Sequence, residues 1–213
     1  MTRREAIGIA MGVSARVATI RAGPNSGDHF WEKEPPSEWT ADEINQLTTN
    51  SPWARSPVVY AVRDQRDRPF SERSPLDFQR ADKARRIVGR WESARVIQDA
   101  LHVADTNVTR RYYVINLAGD TWITRALRDR NTLPDRLREI QHSTKLELQD
   151  RSISIDHAED VSAGPSHGVL LCFPRRAITR EEDEIRFVTV IDSFRLDIRF
   201  RTKDMLYHGE LDL

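Results

Sequence analysis

Apolar and polar residues alternate with a period of two along the C-terminal part of the chain. In Phe194–Arg201 every second residue is apolar and the residues between them are charged, which is typical of a strand with one buried face. A second alternating segment follows at Met205–Leu213, and the apolar run Ile185–Ile191 precedes both. Short turn-forming segments separate the three runs. The pattern predicts an antiparallel meander over Ile185–Leu213, with one face covered and the other wet.

Helical spacings and short apolar runs occupy the rest of the chain. Thr40–Thr49 starts with a capping box, Thr40 and Glu43, and has apolar residues three apart, which predicts a helix. The proline pair in Phe30–Trp39 argues against a helix there. Further helices are predicted over Ala94–Val103, Trp122–Arg130 and Pro134–His142, and further strands over Ser56–Val62, Ile87–Trp91, Tyr112–Leu117, Lys145–Leu148, Ser152–Ile155 and Val169–Phe173. We therefore predict an α+β fold, an antiparallel sheet with a C-terminal β-meander and a few short helices.

The domain plan follows from length and from the first residues. A chain of 213 residues fits one domain, and we expect it to span residues 24–213 with an exposed polar loop near 63–80. Residues 1–23 start with the pair Arg3-Arg4 and a mildly apolar stretch, which resembles a twin-arginine export signal. Arg16 and Arg21 interrupt that stretch, so the basic N-terminus of a cytoplasmic protein is the alternative. We expect an exported protein, periplasmic or extracellular.

Charge and cysteine content narrow the classes of function. The chain has 33 basic and 33 acidic residues, so it gives no strong signal for nucleic-acid binding. It has no apolar run long enough for a transmembrane helix. The one cysteine, Cys172, excludes an intramolecular disulfide and a cysteine-based metal site. Because it lies within an apolar run, we interpret it as a small buried hydrophobe.

Motifs for catalysis and cofactor binding are absent from the sequence. It contains no HExxH, no G-x-S-x-G and no phosphate-binding glycine loop, so we predict no catalytic residue, metal or cofactor. The one local cluster of ligand-type residues surrounds His157, with His167 downstream, and its acids are Asp156, Glu159 and Asp160. A polar loop around Gly164-Pro165 is our interpretation of this cluster. The alternative is an enzyme of unrecognised type, such as a hydrolase, that draws its residues from this loop.

Tryptophans are the most distinctive residues of the chain. Three of them, Trp31, Trp39 and Trp53, crowd together beside prolines. Tryptophan is enriched at recognition surfaces, although such residues also pin irregular segments onto a core. The candidate residues for an unknown protein partner or small ligand are Trp39, Trp53, Trp91 and Arg90.

Four sequence motifs together resemble a known group of proteins. They are Trp31-Glu32-Lys33-x-Pro35-x-x-Glu38-Trp39-Thr40, Ser51-Pro52-Trp53-Ala54, Arg90-Trp91-Glu92-Ser93-Ala94 and the final Lys203-Asp204-Met205-Leu206-Tyr207-His208-Gly209-Glu210-Leu211-Asp212-Leu213. In this order they resemble a group of uncharacterised exported bacterial proteins, over about Phe30 to Leu213. The resemblance implies export and a shared fold, and no particular reaction.

Adjacent arginines occur at Arg85-Arg86, Arg110-Arg111 and Arg175-Arg176. If these pairs cluster in space, their forked donors could bind a phosphate or carboxylate, while salt-bridged surface residues are the alternative. The leading hypothesis is a non-catalytic exported protein that binds a partner or ligand. An uncharacterised enzyme and arginine-mediated binding of an anionic ligand are the alternatives.

Overall fold

The computed structural model of the chain describes residues 29–61, 87–104, 106–119, 133–161, 168–191 and 194–213. Its helices are α1 (Phe30–Lys33), α2 (Ala41–Thr49), α3 (Arg95–Leu101), α4 (Asn107–Arg111) and α5 (Leu133–Ser143), with 3-10 turns at Pro36–Glu38 and Thr202–Asp204. Its strands are β1 (Ala54–Arg55), β2 (Val58–Ala61), β3 (Val88–Trp91), β4 (Tyr112–Ala118), β5 (Lys145–Glu147), β6 (Ser152–Ser154), β7 (His157–Val161), β8 (Gly168–Pro174), β9 (Glu184–Ile191), β10 (Phe194–Arg201), β11 (Leu206–Tyr207) and β12 (Glu210–Leu211).

These strands form two five-stranded antiparallel sheets and one separate hairpin. Sheet 1 has the order β1-β3-β4-β8-β7, and sheet 2 has the order β2-β10-β9-β5-β6. Strands β11 and β12 pair only with each other among the described strands. Antiparallel sheets with short helices confirm the predicted α+β class, with β structure predominating in the described residues.

The main core lies between the two sheets, which pack face to face. Phe173 of sheet 1 meets Phe187 of sheet 2 edge to face, with ring centroids 6.3 Å apart. Trp91 and Phe200 make a second such contact across the sheets at 5.4 Å. Gly89 allows the close approach here, because a Cβ at this position would overlap the side chain of Ile198.

The alternating C-terminal pattern is confirmed in strand β10. Its apolar residues all lie buried between the sheets, as period two requires. On the opposite face Asp197 and Glu147 both accept hydrogen bonds from the guanidinium of Arg186. After β10 the chain leaves sheet 2. The last alternating segment does not pair with β10 as the third strand of the predicted meander, and instead forms the separate hairpin β11–β12. Periodicity assigns the faces of a strand but does not choose its neighbour.

Helix α2 forms as its capping box predicted, whereas several short elements differ from expectation. The Thr40 hydroxyl accepts from the Glu43 N–H at 3.3 Å, and a Glu43 carboxylate oxygen accepts from the Thr40 N–H at 2.8 Å. The short helix α1 was not expected, and it fits because it ends at Lys33, before the prolines. Helix α4 was also missed, and β7 replaces the expected polar loop at His157.

Several predictions fall outside the described residues. They concern the export segment 1–23, the loop near 63–80, the helix over Trp122–Arg130, the pair Arg85-Arg86, and His167. Within the described ranges, no helix is both long and apolar enough to cross a bilayer.

Candidate functional site

The four residues proposed from sequence as ligand or partner contacts all lie in the interior. Trp53 and Trp91 are fully buried, and Trp39 and Arg90 each keep 7% of their surface exposed. Arg90 is paired with Glu92, with 2.7 Å between Nε and Oε2. The structure does not bring these four side chains to a common exposed surface. Their burial agrees with the alternative in which tryptophans pin segments onto the core.

The tryptophan motifs and the C-terminal motif meet in space. The rings of Trp31 and Trp53 lie edge to face at 5.6 Å, and Trp53 Nε1 donates to the main-chain oxygen of Asp212 at 2.8 Å. Glu32 accepts a hydrogen bond from the N–H of His208 at 3.0 Å. Trp91 joins them, because its main-chain N–H donates to the carbonyl of Trp53 at 2.8 Å. We call the set Trp31, Glu32, Trp53, Trp91 and Asp212 the motif unit.

Asp212 connects the motif unit to helix α3. Its buried carboxylate accepts hydrogen bonds from the N–H groups of Arg95 at 3.0 Å and Val96 at 2.9 Å, in the first turn of α3. This is a helix cap supplied from a distant part of the chain. Burial raises the pKa of Asp212, although the two main-chain donors and Arg95 act in the opposite direction. Asp212 therefore has a structural role. The sequence did not reveal this role, because Asp212 lies more than 100 residues after the helix that it caps.

The cluster around His157 lies on strand β7, at an edge of sheet 1. Its Nδ1 is 2.8 Å from a carboxylate oxygen of Asp156, and its Nε2 is 3.2 Å from one of Glu159. The ring of Tyr112 stands edge-on to the imidazole at 5.1 Å. The hydrogen bond from His157 lowers the pKa of Asp156. Carboxylates therefore engage both imidazole nitrogens of His157.

Neither a metal site nor a reactive thiol emerges from the described residues. No group of three or more His, Cys, Asp and Glu in those ranges is placed to hold a metal ion. Cys172 is fully buried, and burial raises the pKa of its thiol to about 12. The thiol is therefore protonated at neutral pH and unsuited to attack a substrate. The prediction of a small buried hydrophobe is confirmed.

Two of the arginine pairs come together because β4 and β8 are antiparallel neighbours. Tyr112 at the start of β4 lies opposite Pro174 at the end of β8. The residues before β4 are therefore adjacent to those after β8. The main-chain N–H of Arg175 donates to the carbonyl of Arg111 at 3.4 Å. Arg180 lies a few residues further along the segment that follows β8. Like the two pairs, it is exposed. We call this set the arginine surface: Arg110, Arg111, Arg175, Arg176 and Arg180.

Main-chain oxygens and aromatic rings hold much of the arginine surface in place. Arg175 donates from Nη2 to the main-chain oxygens of Thr109 at 3.0 Å and Leu213 at 2.9 Å. Its guanidinium carbon lies 4.8 Å from the ring centre of Tyr113, and that of Arg111 lies 5.7 Å from Tyr112. Arg180 donates to the carbonyl of Gly209. Main-chain oxygens and aromatic rings therefore orient Arg111, Arg175 and Arg180.

Acidic residues are scarce within the arginine surface and lie mainly at its margin. The segments 106–113 and 174–180 contain no Asp or Glu. Glu182, a buried acid two residues after Arg180, is paired with Arg151 at 2.7 Å. Arg111 contributes to the lowered pKa of Asp156, so some negative charge lies at one side. Each pair flanks a predicted strand in the sequence, but only the strand order shows that the pairs are neighbours.

Comparisons with known proteins identify no relative. No protein-family model, no curated protein and no solved structure matches this chain.

Proposed function

We propose that this chain is a non-catalytic binding protein that holds an anionic ligand on the arginine surface. The observation that supports this is the meeting of two distant arginine pairs on an exposed surface, where main-chain oxygens and tyrosine rings orient Arg111 and Arg175. A guanidinium presents planar, forked donors that match a carboxylate or phosphate. The shared chemistry of the ligand is an oxyanion group.

The neutral net charge of the chain is compatible with such a surface. The total of 33 basic and 33 acidic residues describes the whole chain, whereas ionic interactions at physiological salt act over about 8 Å. A local excess of arginine therefore attracts anions at short range. Arg176 supports the proposal most directly, because its side chain makes no hydrogen bond or ion pair within the described ranges.

A polyanion column tests the proposal with a matched control. Full-length protein is applied to immobilised heparin, and the salt concentration at elution is compared with that of Arg111→Gln/Arg176→Gln. We expect the double variant to elute at lower salt, with the slope of log affinity on log salt reduced by about one for each arginine removed. The control Arg136→Gln/Arg138→Gln removes two charges from helix α5 and should elute with the wild type. Identical elution of all three proteins would contradict the proposal.

Export is the second part of the proposal and rests on Arg3-Arg4 and on the resemblance of the motifs. Its test is fractionation of the source cells that express either the wild type or Arg3→Lys/Arg4→Lys. We expect the wild type outside the cytoplasm and the variant within it. Wild-type protein found only in the cytoplasm, with residues 1–23 intact by mass, would exclude export.

A further inference from the structure

Strand β2 presents an exposed apolar pair at an edge of sheet 2. Val58 and Tyr60 are 57% and 49% exposed, and they point to the outer face while Val59 packs against the core. One side of β2 pairs with β10, and no described strand pairs with its other side. Free strand edges accept extended segments through main-chain hydrogen bonds. The exposed pair therefore lies where an added strand would contact it.

Arg195 adds a charged group to the same face. It lies directly opposite Tyr60 in the pairing of β10 with β2, and it is half-buried. Its side chain makes no hydrogen bond or ion pair within the described part of the chain, although it is close enough to Glu147 to contribute to that group's lowered pKa. Arg186 on the same face differs, since Asp197 and Glu147 bind it. Arg195 is thus a cation with unused donors beside an exposed tyrosine.

We infer that Val58, Tyr60 and Arg195 form a docking surface for an extended segment of a partner protein that carries a carboxylate side chain. Tyrosine and arginine are the residue types that dominate binding energy at protein interfaces. The edge strand supplies main-chain groups, the apolar pair supplies contact area, and Arg195 selects negative charge. A second copy of this chain fits less well, because β2 reads Val-Val-Tyr-Ala and would offer no carboxylate. This surface is separate from the arginine surface, which flanks β4 and β8.

A charge-swap experiment tests the chemistry of the partner. The probes are two eight-residue peptides, (Glu-Val)4 and (Lys-Val)4, titrated into full-length protein by NMR. We expect the wild type to bind the acidic peptide at least about tenfold more tightly, and Arg195→Glu to reverse that preference. The control Arg138→Glu, on helix α5, should leave the preference unchanged. Equal binding of both peptides, no binding of either, or a preference that survives Arg195→Glu would overturn the inference.

Photo-crosslinking in the source cells tests the identity of the occupant. A photoreactive phenylalanine analogue replaces Tyr60, and a control protein carries it in place of Arg138. We expect an adduct with another protein from position 60 only, mapped to an extended segment next to Asp or Glu and lost on adding Arg195→Glu. An adduct with a second copy of this chain, or no adduct, would overturn the inference. Retention of the adduct in Arg111→Gln/Arg176→Gln would show that it is independent of the arginine surface.

Discussion

The motif unit and the arginine surface are both assembled from distant segments, and they differ in what they present to solvent. In the motif unit Trp53 is fully buried, and its Nε1 donates to the main-chain oxygen of Asp212. In the arginine surface Arg175 and Arg176 remain exposed. The most distinctive residues of the sequence therefore build the interior. The exposed charged groups come from arginine pairs, none of which is distinctive in the sequence by itself.

Solvation explains why the two regions sort in this way. Burial of an indole removes a large apolar area from water, at roughly 25 cal/mol per Å². The desolvation free energy of an unpaired guanidinium is much larger than the free energy gained by burying its alkyl stem. Arginine therefore stays at the surface unless a carboxylate pairs with it. Arg90 illustrates the exception, because it is buried and paired with the carboxylate of Glu92.

The largest effect is expected for Trp53→Ala. Removal of this fully buried side chain leaves a cavity and an unpaired carbonyl at Asp212, and should lower the free energy of unfolding by about 3–5 kcal/mol. Urea denaturation measures the loss. Trp53→Phe is the matched control, which keeps a ring and loses the hydrogen bond. An unfolding free energy unchanged by the alanine variant would show that Trp53 does not serve the core.

A smaller, pH-dependent effect is expected for Asp212→Asn. The loss of one carboxylate acceptor at the start of α3 should cost about 1 kcal/mol at pH 7. Burial raises the pKa of Asp212 above its ordinary 3.8, so its ionised form is the less favoured one in the folded chain. Wild-type stability relative to the variant should therefore decline as pH rises from that value through the raised pKa. Urea midpoints at several pH values test this, and a gap that widens with rising pH would contradict it.

Arg175 links the arginine surface to Leu213, the residue after Asp212 of the motif unit, so its substitution should affect both stability and anion binding. Arg175→Gln loses donors to Thr109 and Leu213 and the stacking on Tyr113, for a cost of about 1 kcal/mol. It should also elute earlier from heparin. Arg175→Lys separates the effect of charge from that of hydrogen bonding, because lysine keeps the positive charge but lacks the forked donors of the guanidinium. Full stability in the glutamine variant would show that the link is unimportant.

The smallest effect on stability is expected for Arg111→Gln/Arg176→Gln. Both side chains are exposed, so the free energy of unfolding should change by less than about 0.5 kcal/mol while anion binding falls. Thermal unfolding beside the heparin assay shows both. A loss of stability similar to that of Trp53→Ala would mean that the arginine surface is structural and that the contrast between the regions is wrong.

Local signals were sufficient for much of the fold. The capping box at Thr40 and Glu43 predicted helix α2, and the alternation in Phe194–Arg201 predicted both a strand and its buried face. Short or polar elements were missed. Helix α4 is five residues long, and β7 contains His, Glu and Asp, so neither has the apolar period that identifies an element.

The candidate sites were less predictable than the elements. The arginine pairs were visible in the sequence, but their adjacency depends on the pairing of β4 with β8. The exposure of Tyr60 and its place opposite Arg195 depend on the position of β2 at a sheet edge. Asp212 shows the same limit, since the helix that it caps lies far away in the chain.

By itself the sequence determined the α+β class, the faces of the regular strands and the ordinary burial of Cys172, because these depend on periodicity and local composition. Only the tertiary structure decided which strands are neighbours, that the four tryptophans of the described ranges lie inside, and that arginines from two pairs share one surface. The physical reason is that strand order and burial are set by contacts between residues far apart in sequence. Local patterns do not encode which of those distant segments will meet.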